Sequence, residues 1–340
     1  MAYRAVHVSD DPLEYFKQKS DEGPYLRVSD VILRENKNPK EVFSRLIRIA
    51  TNSKWSHSAL LYLLADPEKG YDNTFLVEAT TKGVRVASWR NEVEPSNEFT
   101  VGIKRLNIDW YVESPAEQRS HDPNDPEDTH GIGYLRHVRG IALDQINNLY
   151  DHKVVWELAG LYAERVAKRH LPGIPQVAHA AAEVADLFKK WDDESSNKEH
   201  IFRFICSGLV QYSFFAALRI RIINDMKVPE RRDAAMSNLQ NMHKIIFRDD
   251  PDHVISEYIE QVKSGKLDIA APVPDGVLDL LKTATPADFN NSPNLKWRYV
   301  IQQGAIWRIE QAPEGYTPQS EEESKALMLL SPEHHSSDSE

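Results

Sequence analysis

One cysteine, Cys206, stands in the run Phe204-Ile205-Cys206-Ser207-Gly208-Leu209-Val210-Gln211-Tyr212. A thiol attacks a carbonyl only as the thiolate, so a nucleophilic cysteine needs a neighbour that lowers its pKa from roughly 8.5 toward neutrality. A helix N-terminus or an imidazolium does this. The first is legible here: Leu209, Val210, Ser213, Phe214 and Ala217 follow Cys206 at helical spacing, so the cysteine begins the buried stripe of a helix. A first-turn position contributes about 0.3–1 kcal/mol to an anion, under one pKa unit, so a cationic partner is required as well. The small residues Ser207 and Gly208 leave room for a substrate, with Ser207 as a contact, and for backbone N–H groups, including that of Cys206, to form an oxyanion hole.

Of thirteen histidines, most fall in polar stretches or on presumed helix faces. His57 differs, because Lys54-Trp55-Ser56-His57-Ser58 leads into the apolar run 59–64, which would hold the imidazole in a fixed rotamer beside a sheet. Glu78 lies inside Phe75-Leu76-Val77-Glu78-Ala79, where a bare charge is costly. Pairing with the second nitrogen of His57 would remove that cost and orient the base. Trp55 and Ser56, flanking the base, are candidate substrate contacts. Each residue alone has a blander reading: a lone cysteine is most often a small buried hydrophobe, and a strand carboxylate is often an edge charge. The joint pattern carries the assignment.

The elements that must position these residues are readable in outline. Asp30 to Leu33 reads as a strand and Val42 to Ala50 as a helix, followed by strands at 59–64, 75–79, 84–87 and 99–106 of one antiparallel sheet. From Glu113 to His130 the chain is acidic and polar and reads as a surface loop. Asp122, Asp125 and Asp128 within it fit no calcium or zinc spacing, and no metal or organic cofactor is called for. Helices are predicted at 135–149, 154–170, 177–191, 231–247 and 253–263. Thr285-Pro286-Ala287-Asp288 is a helix-start signal, and 296–303 with 305–311 form a hairpin.

The formal charge of −11 repels phosphate backbones and anionic lipid surfaces, which argues against a nucleic-acid partner. The apolar stretch 201–223 contains Arg203, Arg219 and Arg221 and reads as a buried helix rather than a membrane span. The first residues carry no secretory h-region, and one cysteine excludes an intramolecular disulfide, so the expected location is cytoplasmic.

The C-S-G-L-V run resembles the cysteine helix of the NlpC-like papain-fold peptidases. In that family the cysteine precedes the histidine, whereas here Ser56-His57 and Val77-Glu78-Ala79-Thr80 come first. That order resembles the circularly permuted, YiiX-like branch, with its D-V-I-L strand, helix, S-H strand and V-E-A strand. Tyr150-Asp151 is similar to the Y-D preceding the cysteine helix in that branch, and Thr285 to Phe289 to its closing T-P-x-D segment. The resemblance covers about residues 25–105, 145–151, 201–218 and 284–302. One departure is that some fifty residues, His152 to Arg203, separate Y-D from the cysteine helix.

The resemblance implies an α+β, permuted papain-like fold: an antiparallel sheet or barrel against the cysteine helix. It implies a hydrolase domain over 25–316 with helical insertions at about 152–200 and 225–283; the residues themselves read as a polar leader over 1–24 and a disordered tail over 317–340. The implied function is hydrolysis of an amide bond, with Cys206 as nucleophile, His57 as base, Glu78 orienting it and Tyr150 assisting the oxyanion. Acyl transfer or lipid deacylation on the same fold, or a non-catalytic binding module using the extra helices as a partner surface, are the alternatives. The expected ligand is a small peptide-like or acyl substrate, without stable membrane insertion.

Overall fold

The computed structural model describes residues 2–20, 23–36, 44, 47–48, 51, 53–62, 74–80, 82–93, 99–120, 130–146, 148–150, 203–250 and 252–330. At 19–20, 23–24, 92, 120, 149–150 and 203–204 it describes the backbone alone. In chain order the strands are β1 (Tyr3–Ser9), β2 (Lys19–Ser20), β3 (Gly23–Pro24), β4 (Val31–Asn36), β5 (His57–Tyr62), β6 (Phe75–Thr80), β7 (Gly83–Ser88), β8 (Phe99–Leu106), β9 (Leu149–Tyr150), β10 (Arg203–Phe204), β11 (Leu295–Gln302) and β12 (Ala305–Gln311). The helices are α1 (Pro12–Lys17), α2 (Trp89–Val93), α3 (Pro115–Ser120), α4 (Ile132–Asp144), α5 (Cys206–Met226), α6 (Arg232–Gln240), α7 (Val254–Lys263), α8 (Asp275–Lys282), α9 (Pro286–Asn291) and α10 (Glu321–Met328).

Eight strands form one antiparallel sheet in the order β1-β12-β11-β8-β4-β5-β6-β7. Among the described residues it is open, with β1 and β7 as edges, and not closed into a barrel. Strands β4, β5 and β6 are sequences such as Val-Ile-Leu, Ala-Leu-Leu and Leu-Val-Glu-Ala whose residues are buried almost without alternation, as expected of strands covered on both faces. Helix α5 lies against β5 and β6 and also contacts α4, α6 and α8. Consequently the predicted apolar stripe widens: from Cys206 to Leu218 every residue but Tyr212 is buried. This α+β layering puts the cysteine at the buried N-terminal end of the central helix.

Several boundaries differ from expectation. The polar start of the chain is not a detached leader: β1 pairs with β12 over its length, with Ala5 buried. Glu113 to Ser120 is not a plain loop, since Ser114 and Glu113 are buried and α3 follows; residues 121–129 lie outside the described residues. The chain beyond Thr317 is also ordered, as far as Leu330. Its Glu323 is buried on the edge of β1, accepting from the Ala5 N–H at 3.1 Å, the Tyr316 hydroxyl at 2.6 Å and the Gln319 N–H at 2.8 Å. The low apolar content of that tail hid this, because the anchor is a carboxylate satisfying an edge strand.

The helices of 225–283 belong to the core. Ala235, Leu239, Met242 and Ile245 are fully buried, and the Gln211 side chain on α5 bonds both the Ile245 carbonyl and the Phe247 N–H. Predicted helices at 154–170 and 177–191, and most of 42–50, lie outside the described residues. The T-P-x-D reading gives α9, with a reciprocal capping box between Thr285 and Asp288.

Candidate active site

Cys206 opens α5. The preceding Ile205 is extended at φ −80, ψ 164, and supplies no side-chain cap, so the first-turn amides have no side-chain acceptor at this end. The two residues before it, Arg203 and Phe204, pair in parallel with Leu149 and Tyr150. The backbone of Tyr150 is therefore anchored beside the entry to the cysteine helix; its side chain lies outside the described residues. Gly208 faces α8 so closely that a Cβ would stand 2.5 Å from the Lys282 carbonyl oxygen. The glycine of C-S-G thus allows two helices to meet and does not make room for a substrate.

His57 is the first residue of β5, and its register partner in β4 is Arg34. Glu78 in β6 pairs with Ala59 of β5 and with Arg85 of β7. Because side chains alternate, Arg34, His57, Glu78 and Arg85 share one face of the sheet across four consecutive strands. His57 Nε2 is 2.7 Å from Glu78 Oε2. An ionised carboxylate only accepts, so Nε2–H donates and Nδ1 is the nitrogen left for a second partner. Cys206 is the neighbour on that side, near enough that sulfur and imidazole each shift the other's titration. Two residues far apart in sequence are therefore joined as the candidate dyad.

The electrostatics follow from this geometry. Burial raises the Cys206 thiol, but the His57 charge and hydrogen bond, the Ser58 backbone N–H and the Ser207 hydroxyl together outweigh it and hold the pKa down to about 7. Burial and the Arg34 charge lower His57, yet the Cys206 and Glu78 anions raise it to about 9. Burial raises Glu78 as well; His57, Arg34 and Arg85 override it and bring the carboxylate to about 2. The group thus favours a thiolate, an imidazolium and a carboxylate together. Cys206 is 1% exposed, whereas the His57 side chain is 13% exposed, so the imidazole is the accessible member of the pair.

Not every predicted site residue is at the reaction centre. Trp55 is fully buried, its Nε1–H donates to Asn290 Oδ1 at 3.2 Å, and its ring packs 5.8 Å from that of Trp297, so it is a core residue and not a substrate contact. Ser56 is also buried and satisfied within the β4–β5 pair, its hydroxyl donating to the Arg34 carbonyl at 3.3 Å. Ser207 is buried with its hydroxyl 3.9 Å from the Cys206 sulfur, where it serves the thiolate and not a substrate.

Three contributors were missed: Arg34, Arg85 and the Ser58 amide. Arg85 was within reach of the sequence. β6 and β7 pair with Thr80 opposite Gly83, and counting back places position 85 opposite the buried carboxylate at 78. No protein-family model, curated protein or solved structure matches this chain.

Proposed function

We propose that this chain is a thiol-dependent hydrolase that cleaves an amide bond of a small peptide-like substrate through an acyl-enzyme on Cys206. One arrangement carries the reading: a buried cysteine at the start of a helix, its thiol pulled down by a neighbouring imidazole, and that imidazole held at Nε2 by a buried carboxylate 2.7 Å away. A merely structural buried cysteine would have its pKa raised by burial; this one is lowered.

In the first half-reaction the Cys206 thiolate adds to the carbonyl carbon, the C–N bond breaks, and the His57 imidazolium gives its proton to the leaving amine. In the second, His57 takes a proton from water, the hydroxide attacks the thioester, and the acid leaves as the thiolate returns. Glu78 keeps the ring oriented throughout. The oxyanion is received by the Cys206 amide, with Tyr150 as the assisting hydroxyl. The order of histidine strand, carboxylate strand and cysteine helix supports placing the chain with the circularly permuted NlpC-like hydrolases.

The test is alkylation of the one cysteine by iodoacetamide, followed by intact mass, alongside incubation with amide and ester acyl probes. Rapid labelling near neutral pH that His57→Ala abolishes, with transient acyl adducts released to water, is the expected result. Slow labelling indifferent to His57 would leave a binding module of the same fold, and transfer of the acyl group to an added amine in preference to water would indicate an acyltransferase.

A further inference from the structure

Glu78 presents two oxygens to two different partners. Oε2 faces His57 Nε2, and Oε1 accepts both Arg85 Nε at 2.8 Å and Arg85 Nη2 at 2.6 Å. The carboxylate is fully buried, while the Arg85 side chain is 53% exposed. Both guanidinium nitrogens close on the one oxygen Oε1, so Arg85 pins that oxygen and its charge, and with His57 on Oε2 the plane of the carboxylate is set. Glu78 cannot rotate its Oε2 away from the imidazole without giving up both bonds on Oε1.

We infer that Arg85 is a positioning residue of the catalytic group, acting through Glu78: from the edge strand β7 it holds the carboxylate aimed at His57 and, together with the His57 and Arg34 charges on the same face, keeps it ionised in a buried place. This rests on the hydrolase reading above. Without Arg85, a buried Glu78 with an unsatisfied oxygen takes up a proton or swings toward solvent. His57 then loses its orienting acceptor and counter-charge, its imidazolium form weakens, and the Cys206 thiolate loses the cation that stabilises it. Arg85 touches neither the sulfur nor the imidazole, so its influence passes through one carboxylate.

The experiment measures alkylation of Cys206 against pH in the full chain with Arg85→Met, Arg85→Lys, Glu78→Gln and the Arg85→Met/Glu78→Gln double variant, using neutral iodoacetamide and anionic iodoacetate. Expected is a loss of about tenfold at pH 7 for Arg85→Met and a rise of the pH midpoint by about one unit, with Arg85→Lys in between, since a retained charge without the paired grip restores part of the effect. The double variant should be no slower than Glu78→Gln alone. An unchanged midpoint in Arg85→Met, an additive double variant, or a loss confined to iodoacetate would each overturn the inference, the last pointing to an anion anchor. Failure of the hydrolase reading looks different: the wild-type chain would itself label slowly, with an ordinary thiol midpoint and no response to His57→Ala. Thermal denaturation of each variant separates these outcomes from simple unfolding.

Discussion

His57 Nε2 lies 2.7 Å from Glu78 Oε2 although the two are not register partners: Glu78 sits opposite Ala59, and His57 is one diagonal step along β5. The diagonal suits the chemistry. The contact engages Nε2 alone and leaves the other ring nitrogen on the side of α5.

The two shifted groups define a working pH window. Cys206 is held down to about 7 and His57 up to about 9, so the thiolate–imidazolium pair dominates between those values. The stabilisation His57 provides is fully present below its ordinary 6.5 and is lost as pH rises through about 9. That from Cys206 is present above its ordinary 9.0 and is lost as pH falls through about 7. Iodoacetamide labelling should therefore rise with a midpoint near 7, and in His57→Ala the midpoint should return toward the ordinary thiol value. A wild-type midpoint above 8.5 would contradict the pairing.

Gly208→Ala should displace the start of α5, because the new methyl meets the Lys282 backbone carbonyl, which has no flexible end to yield. The expected cost is about 1–3 kcal/mol of stability, together with slower labelling of Cys206 as the sulfur shifts from His57. Urea denaturation and labelling rate report the two effects, and a variant that matches wild type in both would refute the close helix approach.

Trp55→Phe should behave in the opposite way. It removes the bond to Asn290 and some contact with Trp297, for a loss of about 1–2 kcal/mol, but leaves the cysteine site intact. A lower melting temperature with unchanged labelling kinetics is expected. Unchanged stability with weakened capture of acyl probes would restore Trp55 as a substrate contact.

Glu323→Ala should loosen the C-terminal helix from β1, since three donors lose their acceptor. Roughly 1–3 kcal/mol is expected, with faster proteolysis after Tyr316 and no change in labelling of Cys206. Proteolytic resistance equal to wild type would mean that α10 is held by its apolar face alone.

The strands that build the site were legible because their side chains carry the signal themselves: the β-rich runs at 31–33, 59–62, 75–79 and 99–106 all fall in the sheet. The cysteine helix was legible from its spacing. The edges of the fold were not. β1, Tyr-Arg-Ala-Val-His-Val-Ser, mixes apolar and polar residues and α10 opens on three glutamates; both are fixed by bonds to backbone or side-chain groups of distant segments, which composition does not show. Lys104 is a similar case. It is a lysine within a strand that proves 1% exposed, its ammonium donating to the carbonyls of Phe289 at 2.6 Å and Asn290 at 2.8 Å. Nothing local announces a cation used as the cap of a helix elsewhere in the chain.

Residue types and spacing by themselves determined that Cys206 begins a helix, that His57 enters a strand, and that Glu78 is a carboxylate in an apolar run needing a partner. Those are short-range facts, fixed by periodicity and by the cost of burying a charge. Which groups meet was decided only in the packed fold: α5 across β5 and β6 brings the sulfur to His57, while Trp297 and Asn290 enclose Trp55 and the β4 backbone takes up Ser56. A side chain's chemistry depends on the charges and dipoles a few ångströms away, and most of those come from distant parts of the chain.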